Sequence, residues 1–130
     1  MAAQIRDKFC VLLVDDDPDT RAMYAIALSV AQFDLLEAAD GVTALSAASE
    51  FLPDVIVTDL SGPNLDGFEL LEWLQANPKT ARIRTIVLTG RSDETTAVRA
   101  AALRAQLLVK PCLPSTLTFH VVSALTNAAA

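Results

Sequence analysis

Val11-Leu12-Leu13-Val14-Asp15-Asp16-Asp17-Pro18 joins a short apolar run to three consecutive acids and a proline. The run does not alternate with polar residues, and it stops at a turn. This is the pattern of a strand buried on both faces of a parallel sheet. The same grammar recurs along the chain. Val55-Ile56-Val57 leads into Thr58-Asp59, Ile86-Val87-Leu88 into Thr89-Gly90, and Leu107-Leu108-Val109 into Lys110-Pro111. Asp34-Leu35-Leu36-Glu37 reads as a weaker fifth strand.

Helical stretches fall between these runs. From Asp19 to Ala31, the residues Met23, Ile26, Ala27 and Val30 recur at i, i+3, i+4 and i+7, the spacing of an apolar face. Gly41 to Glu50 is a short Ala-rich helix stopped before Pro53, and Gly67 to Gln75 gathers Leu70, Leu71 and Leu74 on one side. Ser92 is placed to cap a fourth helix, with Asp93 and Glu94 in its first turn where the helix dipole favours anions. Pro114 suits the first turn of a fifth helix, which runs toward a frayed end at 127–130. Strands alternating with helices imply right-handed crossovers and a doubly wound α/β sheet.

The 130 residues fit one domain, spanning 1–130 with a core of about 8–126. A hydrophobic fraction of 52% against 20% charged supplies a core without being membrane-like. The formal charge of −6, with no basic stripe, disfavours direct binding to nucleic acid. No apolar run approaches the ~20 residues of a membrane span, and the first nine residues lack the apolar centre of a signal peptide. The expectation is a cytoplasmic protein. Cys10 and Cys112 are too few for a disulfide framework and fall at opposite ends of the sheet, so both are expected as free thiols.

In a doubly wound sheet, sites form beyond the carboxyl ends of the strands. There the chain places Asp15, Asp16 and Asp17, then Asp59, then Thr89, then Lys110. Ionised together, Asp15, Asp16 and Asp59 would repel one another; a Mg²⁺ ion prefers such hard oxygen ligands and relieves the repulsion. A carboxylate can serve as nucleophile in phosphoryl transfer, with Thr89 and Lys110 available to phosphoryl oxygens. Taken singly, each motif has a plainer reading. Asp15-Asp16-Asp17 reads equally as a turn and helix cap, Asp17 best of all as a cap, and Asp54 as a turn residue at the wrong end of its strand. His120, the single histidine, falls in the last helix and reads as a surface or interface residue.

Val14-Asp15-Asp16, Thr58-Asp59, Pro63-Asn64-Leu65-Asp66-Gly67, Leu88-Thr89-Gly90 and Val109-Lys110-Pro111 together resemble the motifs of response-regulator receiver domains of two-component signalling, in order and over essentially the whole chain. The resemblance implies a five-stranded parallel sheet in the flavodoxin-like order 2-1-3-4-5 with five helices. It implies that Asp59 is the phosphoacceptor, that Asp16 binds Mg²⁺ directly and Asp15 through water, and that the backbone carbonyl of Ser61 is a further ligand. It makes Thr89 the switch hydroxyl, Lys110 the phosphate-binding cation, and Lys110-Pro111 a cis peptide. The implied donor is a sensor histidine kinase or a histidine phosphotransfer protein.

The departures from that pattern concern output. Leu107 stands where a switching aromatic is usual, Cys112 replaces another aromatic, and Gly62 replaces a common Met. Leu103-Arg104 replaces the glycine that usually ends the fourth helix, so that turn is expected to lack its left-handed residue. The last helix carries Leu117, Phe119, Val121, Val122 and Leu125, more than one buried stripe needs. With Leu107 this points to an apolar fourth-helix/fifth-helix face for a homodimer or an output domain. Two further readings stay open. One is a pseudo-receiver acting as a phosphorylation-independent interaction module. The other is a Mg²⁺-dependent phosphohydrolase, against which stands Ser61 where such enzymes place a second acid.

Overall fold

The computed structural model describes residues 8–126; residues 1–7 and 127–130 lie outside it, including the expected frayed end. Five strands, β1 (Cys10–Val14), β2 (Asp34–Ala38), β3 (Val55–Asp59), β4 (Arg84–Thr89) and β5 (Gln106–Val109), form one parallel sheet in the order β2-β1-β3-β4-β5. The helices are α1 (Pro18–Val30), α2 (Gly41–Phe51), α3 (Gly67–Ala76), α4 (Glu94–Ala102) and α5 (Pro114–Thr126). All five residues of β1 are buried, which is why its run is apolar without alternation.

Side chains along the central strands alternate between two cores. Leu12, Val14, Ile56 and Val87 pack with α2, α3 and α4, through residues such as Ala48, Leu70 and Ala100. Val11, Leu13, Val57 and Leu88 pack with α1 and α5, through Tyr24, Leu28, Leu117 and Val121. Leu107 is half-buried and packs inward against the first of these cores. The N-termini of α1, α2 and α3 are capped by Asp17, Asp40 and Asp66, the last in a reciprocal capping box with Glu69.

Three sequence expectations need correction. The buried face of α1 is Tyr24, Ala25 and Leu28, with Arg21 half-buried; Met23 at 43% exposure, Ile26 at 66% and Val30 at 78% point to solvent. Both faces of this helix are apolar, so spacing alone does not choose between them. The N-cap of α4 is Asp93, not Ser92, although its side chain accepts from the Thr96 hydroxyl rather than from a backbone amide. Finally, the turn after α4 keeps its left-handed residue: Arg104 has φ 59°. Arg104 N–H donates to Ala101 O at 3.0 Å and Ala105 N–H to Ala100 O at 2.9 Å, a Schellman closure made without glycine. Gln32, at φ 72°, closes α1 in the same way, its N–H donating to Ser29 O and that of Phe33 to Leu28 O.

Holding an L-residue in the left-handed region costs ~1–2 kcal/mol, and the extra chain entropy of an unfolded glycine offsets ~0.5–1 kcal/mol of that. Gln32→Gly and Arg104→Gly are each expected to stabilise the protein by about 0.5–1 kcal/mol in urea unfolding. A loss of stability in both would contradict the turn geometry.

Candidate functional site

The parallel register brings the ends of β1, β3, β4 and β5 to one edge. Val14 pairs with Thr58, Asp59 with Leu88, and Thr89 with Val109, so the residues that follow these pairs converge. Asp15, Asp16 and Asp59 each offer a carboxylate oxygen, all within 4.8 Å of one another. Lys110 Nζ reaches Asp59 Oδ1 at 3.5 Å and Asp15 Oδ2 at 3.8 Å. Its own backbone is fixed by a 2.8 Å hydrogen bond from Lys110 N–H to Thr89 O, and Lys110-Pro111 is cis. Thr89 is buried, and its hydroxyl accepts from the Arg91 N–H at 3.0 Å.

Asp59 lies where two spaces meet. The acidic cluster flanks it on one side, with Asp40, Gly41 and Gly67 beneath. On the other side opens a cleft of about 450 Å³ lined by Asp59, Ser61, Thr89, Arg91 and Arg99. The floor under Asp59 is tight: a Cβ on Gly67 would lie 2.6 Å from Asp59 O, so only glycine lets α3 begin this close to the strand end.

Several supports were not legible in the sequence. The Ser61 hydroxyl donates to Asp59 Oδ2 at 3.3 Å, a side-chain contact beside the carbonyl role the resemblance implies. Arg21 donates to Asp15 O at 2.7 Å and pairs with Glu37 at 3.2 Å, bracing the acidic turn against β2. Tyr24 donates its hydroxyl to Cys112 O at 2.7 Å and so ties α1 to the loop after Lys110. Both supports lie on the inward face of α1, where Arg21, Tyr24, Ala25 and Leu28 form a stripe that spacing alone does not distinguish from Met23, Ile26 and Val30. Asp17 caps α1 and Asp54 accepts from the Cys10 N–H at 2.7 Å at the opposite edge, as their plainer readings expected. Neither cysteine forms a disulfide, and burial pushes the Cys112 thiol above its ordinary range. His120 is half-buried on α5 beside Gln106.

Burial is the main cause that raises the Asp15 carboxyl above the usual carboxylate range; Asp59 and Asp16 add to it. The Asp17 N–H, 2.9 Å from Asp15 Oδ1, and Lys110 oppose the rise. One lysine thus faces three carboxylates, one of which resists ionisation. That donor set, all hard oxygens with an excess of negative charge, fits a divalent cation such as Mg²⁺.

Because the folded value of Asp15 lies above the unfolded one, its ionised form costs stability at neutral pH, and the cost fades as pH falls through the raised value. Asp15→Asn keeps an oxygen for the Asp17 amide. It is expected to raise the metal-free melting temperature near pH 7, with a gain that shrinks toward about pH 4. Melting followed by circular dichroism checks this, and a variant less stable than wild type near pH 7 would contradict it.

Comparison with known proteins agrees with this geometry. Residues 11–122 match the response regulator receiver domain family. A probable chemotaxis protein CheY of Rhizobium etli is 32% identical over 109 residues, covering 82% of this chain and 84% of that protein. The DNA-binding dual master transcriptional regulator RpaA of Synechocystis is 35% identical over 80 residues, but these are 62% of this chain and only 33% of RpaA. Among solved structures, chemotaxis protein CheY4 of Vibrio cholerae superposes with a TM-score of 0.84 at 30% identity, covering 89% of this chain and 98% of that one. The sheet order, the acidic edge and these relatives lead to one conclusion: the chain belongs to the response regulator receiver domain family of two-component systems.

Proposed function

We propose that this chain is a single receiver unit, 1–130 with its core at 8–126, that accepts a phosphoryl group on Asp59. One observation carries the reading: Asp59 stands at the junction of the acidic cluster, the Lys110 ammonium and the cleft lined by Thr89. The donor is a phosphohistidine on a sensor histidine kinase or phosphotransfer protein. An Asp59 carboxylate oxygen bonds to phosphorus as the phosphorus–nitrogen bond breaks, and the departing imidazole nitrogen takes up a proton. The product is an acyl phosphate.

Each of the chain's own groups has a part. Lys110, already within 3.5 Å of Asp59, orients the carboxylate and pairs with a phosphoryl oxygen afterwards. Ser61 holds the second Asp59 oxygen, and the Thr89 hydroxyl turns from the Arg91 amide toward the phosphoryl group. Asp15, Asp16, Asp59 and the Ser61 carbonyl would hold Mg²⁺, which when bound neutralises charge shared between carboxylates and phosphate. Transfer of this kind rests mostly on positioning and charge balance, and Ser61, standing where a hydrolase of external esters would place a second acid, favours an acceptor.

The readout is the α4–β5–α5 face. Val98, Val109, Phe119 and Val122 are exposed there, and they give it an apolar surface able to bury against a second copy or an output domain. Leu107, packed inward, contributes less to that surface than its sequence position suggested. In this reading the protein acts in the cytoplasm, without contacting nucleic acid or membrane itself.

Intact mass after incubation with acetyl phosphate tests the proposal. One phosphoryl group is expected on wild type with Mg²⁺, and none without Mg²⁺ or on Asp59→Asn. Sedimentation of the same samples is expected to show self-association that increases on phosphorylation and is lost in Phe119→Ser. No addition under any condition, including with phosphohistidine donors, would leave the interaction module as the function. A monomer in every sample would remove the second copy as partner.

A further inference from the structure

The amino edge of the sheet, opposite the acidic site, carries a groove of about 370 Å³ between the ends of α3 and α4. Leu71, Leu74 and Ile83 form its apolar part, and Arg82, Arg84 and Arg104 line it. No carboxylate lines it, in a chain with sixteen acids and ten bases. Elsewhere in the fold, Arg21 pairs with Glu37, Arg99 with Glu72, and Lys110 with Asp15 and Asp59, while Lys8, Lys79 and Arg91 form no ion pair among the described residues. Among the described residues, Arg82, Arg84 and Arg104 form no ion pair.

Two further observations mark the groove as built. Arg104 occupies a left-handed position, φ 59°, that glycine would hold without strain, so a guanidinium stands at the rim at a cost in backbone energy. The walls are also tied in place. The Gln75 amide donates to Leu103 O across the groove, and the buried Thr80 hydroxyl donates to Leu74 O at 2.6 Å, fixing the turn that leads to Arg82.

We propose that this groove binds a small phosphorylated organic anion. Guanidinium groups match phosphate oxygens in paired hydrogen bonds, and three of them on one rim suit a multiply charged group. The apolar wall suits the organic body that carries it, and the volume falls in the range of small-molecule sites, about 300–1,000 Å³. The site is independent of Asp59. Arg84 and Thr89 begin and end β4, a separation of roughly 16 Å along the strand.

Titration of the ¹⁵N-labelled full chain with ADP, without Mg²⁺, tests the proposal. Saturable shifts are expected at the amides of Arg84, Thr85, Leu103 and Arg104. Adenosine, lacking the charge, is expected to leave them unmoved, and pyrophosphate, lacking the organic body, to bind about tenfold more weakly. Combining Arg82→Gln with Arg104→Gly is expected to weaken ADP at least about tenfold while the melting temperature stays at or above that of wild type. The proposal is overturned by any of three results: no saturable shift at millimolar ADP, undiminished binding in the double variant, or shifts confined to the Asp15–Asp59 edge. Pyrophosphate binding as tightly as ADP would overturn the organic part of the assignment.

Discussion

Like charges held close together at the carboxyl edge of a parallel sheet are the constraint on which the rest of this structure depends. Parallel pairing sends β1, β3, β4 and β5 out of the sheet in one direction, so the residues that follow them must share one rim. Three carboxylate oxygens within 4.8 Å of one another are the consequence. Water does not relieve the strain well, because Asp15 is buried and its ionised form is disfavoured. Lys110 offsets part of the excess, at 3.5 and 3.8 Å from two of the three. What remains is an excess of negative charge on hard oxygen donors, a set that fits a divalent cation.

Much of the remaining structure holds that rim in position. Gly67 lets α3 start against Asp59 O, and Gly41 lets α2 start against Leu65. Asp17, Asp40 and Asp66 begin three helices close to the same edge, satisfying amide groups that would otherwise lack partners. Arg21 and Tyr24 reach from α1 to the turns at either side of the acidic cluster. A charge cluster can persist only on a scaffold whose own packing is secure, and the two buried cores on either face of the sheet provide it.

The central strands β1, β3 and β4 were legible because burial on both faces leaves an unbroken apolar run, whereas the edge strand β5 keeps an apolar run with Val109 exposed, and the residues after each run named the chemistry. Even the edge strand β2, mixed in character since Asp34 and Glu37 face water, fell where its pattern placed it, one residue short. The cis Lys110-Pro111 bond and the sheet order agree with the family resemblance, neither being a matter of periodicity. The face of α1 was not legible, because Met23, Ile26 and Val30 offer as good a stripe as Tyr24, Ala25 and Leu28. What decides is tertiary: only the second stripe brings the Tyr24 hydroxyl to Cys112 O. The turn after α4 misled for a different reason. A missing glycine does not mean a missing conformation, since Arg104 adopts it against its intrinsic preference. The Ser61 hydroxyl bond to Asp59 depends on how the loop folds back, which spacing does not encode.

In the proposed function, a hard divalent cation relieves the repulsion within the carboxylate cluster. Thermal unfolding of the wild type and of Asp16→Ala across a Mg²⁺ series, with Na⁺ at matched ionic strength, tests it most directly. At ten times the dissociation constant, Mg²⁺ is expected to stabilise wild type by about 1.4 kcal/mol, with little or no effect on Asp16→Ala. A wild-type transition that does not move with Mg²⁺, or that moves equally in Asp16→Ala, would contradict it.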